Sequence, residues 1–179
     1  MERKYVLTAF GKDRPGIVAD VSALIYESGC NLEDSTMTRL MDQFAIILLF
    51  SGSSRDLEEN LSKGCRRLEI EKGISAFFRT VDKPHFQKKG KTVQHSLHIE
   101  GIDHAGIVYK ISTYLAGLNI NIENLHSEMK ISPESGTVLY IMEILISIPE
   151  SISTKDLDRG LSNVGEELNV EIIRNETGY

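Results

Sequence analysis

A chain of 179 residues, 41% of them hydrophobic, is long enough for two domains of roughly 90 residues each. It holds no run of about 18 apolar residues of the kind that crosses a membrane, and Met1-Glu2-Arg3-Lys4 passes straight into an apolar stretch, which predicts no secretory signal. A net charge of −6 argues against direct nucleic-acid binding, because phosphate recognition needs a basic face.

Tyr5 to Phe10 is rich in β-formers and ends at Gly11, which predicts a strand. Pro15 suits the first turn of a helix with Asp13 as its cap, and Ile17, Val18, Val21, Leu24 and Ile25 follow at helical spacing until Gly29. A strand is expected over Leu32 to Leu40, a turn at Met41-Asp42-Gln43, and a buried strand over Phe44 to Phe50. Leu57, Leu61, Cys65 and Leu68 mark a second helix, and Ile74 to Val81 a fourth strand. Tyr5, Phe10, Phe44, Phe77 and Phe78 are the expected aromatic core. The order is β-α-β-β-α-β.

The chain then repeats itself. Gly11-Lys12-Asp13-Arg14-Pro15-Gly16-Ile17-Val18 returns as Gly101-Ile102-Asp103-His104-Ala105-Gly106-Ile107-Val108, an offset of 90 positions that also carries Ser22 onto Ser112, Asn31 onto Asn121 and Glu33 onto Glu123. Solenoid periods run about 20–50 residues, so this unit is a domain. Strands are expected at Ser96 to Glu100, Ile122 to Ile131, Val138 to Ile148 and Val170 to Arg174. Helices are expected over Ile107 to Leu118 and along Leu157, Leu161, Val164 and Leu168. The domains are therefore 1–82 and 95–179, joined by a polar, basic linker over 83–94. Split βαβ units predict an α+β fold: two ferredoxin-like βαββαβ domains, each an antiparallel sheet with helices on one face.

Lys and Arg number 14 against 13 Asp and Glu in residues 1–90, and 6 against 13 in residues 91–179. Opposite tendencies of this kind suit two small cores packing as a pseudo-symmetric pair, and a solvated acidic face explains them equally. Cys30 and Cys65 have no metal-ligand spacing and read as reduced thiols, which fits a cytoplasmic compartment. His85, His95, His98, His104 and His126 show no i, i+4 pair, so neither a metal site nor a cofactor is expected.

The run Asp13-Arg14-Pro15-Gly16-Ile17-Val18, a helix, Gly29-Cys30-Asn31-Leu32-Glu33 and a hairpin resembles an ACT domain, in two copies covering nearly the whole chain. The layout is similar to stand-alone tandem ACT proteins of the glycine-cleavage regulatory type. The second copy departs at His104-Ala105. The resemblance implies a non-enzymatic regulatory protein that senses an amino acid or related carboxylate where copies pair, with a protein partner and a homodimer among its assemblies. The ligand-binding residues it implies are Gly11, Asp13, Gly16 and Asn31, with Gly101, Asp103, Gly106 and Asn121, and Arg14 and His104 join them as candidates from their place in the same loops, His104 as a ligand donor.

The residues agree on their own terms. A helix beginning at Pro15-Gly16 offers unpaired N–H groups to a carboxylate, Asp13 accepts from an ammonium group, and Asn31 offers a donor and an acceptor. Equally, Asp13 and Asp103 fit as helix caps, the glycines as turn formers, Asn31 and Asn121 as left-handed helix terminators, and His104 as a loop histidine. A second reading is a small acylphosphatase-like hydrolase in which Arg14 cradles phosphate and Asn31 orients water. A third is an interaction scaffold without a ligand.

Overall fold

The computed structural model describes residues 2–81, 91–132 and 136–176. The chain divides into two compact units, Met1–Phe86 and Gln87–Tyr179. The first contains β1 (Arg3–Lys12), α1 (Ile17–Glu27), β2 (Asn31–Leu40), β3 (Gln43–Gly52), α2 (Leu57–Lys72) and β4 (Ser75–Val81). The second contains β5 (Thr92–Ile102), α3 (Ile107–Gly117), β6 (Asn121–Ile131), β7 (Val138–Pro149), α4 (Thr154–Leu168) and β8 (Val170–Glu176). Residues 92–94, expected in the linker, are strand, because Thr92 to Gln94 extend the pairing of β5 with Ser147 to Pro149. Positions 83–90 of the expected linker lie outside the described residues.

Each unit folds into one four-stranded sheet, ordered β2-β3-β1-β4 and β6-β7-β5-β8, with every neighbouring pair antiparallel. Alternation decides which face is buried. Tyr5, Leu7 and Ala9 of β1 and Phe44, Ile46, Leu48 and Phe50 of β3 point to one side, where they meet Ile17, Val21, Leu24 and Ile25 of α1 and Leu57, Leu61, Cys65 and Leu68 of α2. Tyr5 stacks on Phe50 with ring centroids 5.6 Å apart. The second core repeats the pattern with Leu97, Ile99, Met142, Ile144, Ile146 and Ile148 under Ile107, Ile111, Leu115, Leu157, Leu161 and Leu168. The helices thus cover one face of each sheet.

Three expectations need correction. Phe10 and Phe77 are about half exposed, because their strand phase puts them on the face opposite the helices. Val18 likewise falls outside the buried stripe of α1. Asn31 and Asn121 do not end helices: each is the first residue of a strand, and the left-handed turns are made two residues earlier by Gly29 (φ 68°) and Asn119 (φ 56°). Cys30 and Cys65 are free thiols, and burial pushes both above the ordinary range.

Candidate functional site

The β1–α1 loop is built by Gly16. At φ 88° it adopts a left-handed conformation that costs a residue with a Cβ about 1–2 kcal/mol, and it stands at the N-cap of α1. The helix therefore starts at Ile17, and Pro15 lies in the preceding turn, one step earlier than the expected opening. Gly106, at φ 104°, does the same for α3. A Cβ on Gly16 would meet nothing nearer than the Arg14 guanidinium at 3.9 Å, and one on Gly106 would meet nothing within 4 Å. Among the helices of the described residues only α4 is capped by a side chain, with the Asp156 N–H donating to Ser153 Oγ. The first-turn N–H groups of α1 and α3 keep the partial positive charge that suits an anion.

Asp13 is not a helix cap. Its backbone N–H donates to the Asp42 carbonyl at 2.7 Å and its carboxylate lies 3.6 Å from Arg39, so it fastens the loop to the β2–β3 turn. Asp103 makes no side-chain cap on α3 either. The absent side chains of Gly11 and Gly101 serve the chain itself. A Cβ on Gly11 would stand 3.1 Å from the Gly73 carbonyl oxygen, and one on Gly101 would stand 2.6 Å from Val170 Cγ1 and 3.0 Å from the Asn169 oxygen.

Arg14 is engaged. Its guanidinium donates to Asp20 at 2.6 Å, and Lys72 from the last turn of α2 reaches the same carboxylate at 3.4 Å. Arg14 and then Lys72 hold the Asp20 carboxyl below the usual range. At His104 the chemistry differs. Nε2 lies 2.5 Å from the Leu168 carbonyl oxygen and Nδ1 3.1 Å from that of Ala105. Those hydrogen bonds raise its pKa above the ordinary imidazole value, Leu168 contributing most. Both ring nitrogens therefore face backbone carbonyl oxygens.

The asparagines stand elsewhere. Gly11 pairs with Phe44 and Asn31 with Ser51, seven positions apart along β3, or about 24 Å at ~3.4 Å per residue. Gly101 pairs with Tyr140 and Asn121 with Ser147, again seven positions apart along β7. Loop and asparagine therefore occupy opposite ends of the same sheet. Arg14 and Asn31, which the hydrolase reading brings together, do not converge within the unit, and Arg14 is paired with Asp20.

Around each asparagine the structure assembles a polar group that the sequence repeat hinted at only through Glu33 and Glu123. The ladder shifts register between Leu32 and Asp34 and between Ile122 and Asn124, placing each glutamate on a β-bulge. In the first unit Lys4 pairs with Glu33 at 2.5 Å, and Ser51, 3% exposed, donates to Glu2 at 3.1 Å. Lys4 chiefly, and Ser51 after it, hold the Glu33 carboxyl down. In the second unit Asn121 Nδ2 and Ser147 Oγ both donate to Glu123 at 2.8 Å. The Asn31 amide has no such partner among the described residues. Ser51 and Ser147 lie outside the repeated motif, since the longer β6–β7 connection moves the offset from 90 to 96, and only the strand pairing reveals their equivalence.

Beyond Ser51, a cavity of about 570 Å³ opens between the start of β1 and the first turn of α2, lined by Arg3, Tyr5, Ser53, Ser54, Arg55 and Glu58 among others. Arg3 is paired there with Glu58 at 3.2 Å. Among the described residues no cluster of three or more His, Cys, Asp or Glu side chains is placed to hold a metal ion, and no helix is long and apolar enough to cross a membrane.

Two antiparallel βαββαβ units, each with a glycine-headed helix after its first strand, define a tandem ferredoxin-like protein. Residues 4–79, within the first unit, match the ACT domain model, so the chain carries an ACT domain. It is similar to the glycine cleavage system transcriptional repressor of Escherichia coli, at 24% identity over 177 residues that cover 97% of this chain and 90% of that protein. Among solved structures, an unknown protein from Galdieria sulphuraria matches with a TM-score of 0.79 and 28% identity, covering 99% of this chain and 100% of that one. A putative glycine cleavage system transcriptional repressor shares the fold with a TM-score of 0.73 at 20% identity, covering 100% and 99%.

Proposed function

We propose that this chain is a regulatory protein rather than an enzyme, that it binds an amino acid or a related small carboxylate, and that it acts through a protein partner. The observation that carries the reading is the recurrence, in both units, of a left-handed glycine heading a helix that no side chain caps, with open space beside it. Such a turn presents N–H groups to a carboxylate. Asn31 and Asn121 supply a second polar contact. The distance of about 24 Å along the central strand means that a ligand touching both loop and asparagine takes them from two different copies of the domain. A ligand held that way favours one pairing of copies over others, which is how a module without chemistry of its own reports to a partner. Similarity to glycine cleavage repressors makes glycine the first ligand to test and regulation of glycine cleavage the process to examine.

The experiment is a thermal-shift screen of the whole chain across the amino acids, followed by calorimetry on any that register. A ligand at 100-fold over its Kd adds about 2.7 kcal/mol of stability. Asn31→Ala and Asn121→Ala each test one copy, and loss of a hydrogen bond that leaves its partner buried weakens binding by about 1–3 kcal/mol. A screen in which no amino acid or small carboxylate shifts the transition overturns the ligand reading and leaves the interaction scaffold.

A further inference from the structure

The two loops share one shape and are fastened by different chemistry. In the first unit the fastening is ionic: Arg14 and Lys72 both hold Asp20, which ties the loop and the end of α2 to the first turn of α1. Arginine and lysine stay protonated through the neutral range. At the position of Asp20 the second unit has Lys110, which pairs with Glu167 across α3 and α4. At the position of Arg14 it has His104, whose two ring nitrogens face two backbone carbonyl oxygens. A carbonyl oxygen only accepts, so both bonds exist together only when both nitrogens carry protons. One acceptor is Leu168, the last residue of α4, where the exposed carbonyls bear the partial negative charge of the helix end and attract a cation.

We propose that His104 is a protonation-dependent latch that positions the β5–α3 loop against the C-terminus of α4, so that the second copy's loop responds to pH near neutrality while the first copy's does not. The charged groups facing His104 are Asp103 on its own loop, which favours the imidazolium, and Lys110 on α3, which opposes it and is itself paired with Glu167 on α4. On deprotonation the ring keeps a single N–H and must give up one carbonyl. Releasing Leu168 frees the turn that ends at Gly106; releasing Ala105 frees the ring within the loop. The functional consequence, a ligand site in the second copy that changes with pH, rests on the reading proposed above. The latch itself does not, and it is tested without ligand.

The measurement is an NMR titration of the whole chain, following the His104 ring and the backbone amides of residues 103–107 and 168–170, with residues 13–17 as the control. The expected result is a single midpoint, above the ~6.5 of an ordinary imidazole, shared by the His104 ring and both groups of second-unit amides, with residues 13–17 unmoved. In His104→Arg, which brings in the first copy's fixed charge, the loop amides hold one position across the range. In His104→Gln they also cease to titrate and sit near their wild-type high-pH positions. The latch is overturned if His104 titrates at or below the ordinary value with the loop amides indifferent to it, if His104→Gln leaves the loop titrating as before, or if residues 13–17 follow the same midpoint. A failed amino-acid screen changes none of these readouts.

Discussion

Gly160 in α4 leaves the space into which Tyr114 of α3 reaches: a Cβ at Gly160 would stand 1.8 Å from the phenol oxygen and 2.4 Å from the ring carbon that carries it. Gly64 of α2 gives way to Leu24 of α1 in the same manner, with 2.0 Å to Leu24 Cδ1. Leu24 and Tyr114 are 90 positions apart and Gly64 and Gly160 are 96 apart, so this is one packing device kept in both copies with different side chains.

Gly160→Ala is expected to destabilise the second unit despite the better helix propensity of alanine. Overpacking costs about 1–3 kcal/mol, and the Gly-to-Ala gain in a helix interior returns only about 1 kcal/mol. The sign reverses when the obstruction is removed: in a Tyr114→Ala background, Gly160→Ala stabilises. Urea denaturation of the four proteins in this cycle decides it, and equal effects of Gly160→Ala in the two backgrounds would show that the two side chains do not meet.

These helix glycines also mark where sequence reading ends. The strands and helices were legible because their apolar residues recur at periods of 2 and 3.6, and those periods are local properties. Gly64 and Gly160 sit inside otherwise ordinary amphipathic helices, and nothing nearby in the sequence says that another helix's side chain fills the gap. The candidate site divides the same way. The turn glycines Gly16 and Gly106 were legible from the repeat, whereas the opposite placement of Asn31 followed only from the β1–β3 and β2–β3 registers. For His104 the sequence offers a ligand donor or a loop histidine and not the contact with the Leu168 carbonyl, because Leu168 is 64 residues away. Phe10 and Phe77 were misplaced because apolar content alone does not give strand phase.

Asn119 performs at the end of α3 what Gly29 performs at the end of α1, with φ 56° against 68°. Glycine has no Cβ to object to that region, asparagine tolerates it, and a β-branched residue does not. Asn119→Gly is therefore expected to be neutral to within about 0.5 kcal/mol, and Asn119→Val to cost about 1–2 kcal/mol. Denaturation midpoints of the two variants check this. Tolerance of valine would mean that the turn relaxes without cost.

The last expectation concerns pH. On the face of the second sheet turned away from the helices, His98 stands opposite Glu143, which stands opposite His126, in one row across β5, β7 and β6. His98 Nδ1 lies 2.5 Å from Glu143, and Nε2 lies 3.4 Å from Glu100. Clamped between two carboxylates, chiefly by Glu143, the ring has its pKa raised above the ordinary value. The equivalent row in the first unit holds Thr8 and Ile47, so no such group titrates there. A folded-state pKa above the unfolded one gives stability that is complete below the unfolded value and is lost as pH rises through the folded value. The wild type should therefore exceed His98→Thr in stability by more at about pH 5.5, below the ordinary imidazole value, than at about pH 8.5, well above it. His104 is present in both proteins and cancels in the difference. Urea titrations at the two pH values measure it, and a difference between wild type and variant that does not change with pH would show that the carboxylates around His98 do not favour its charged form.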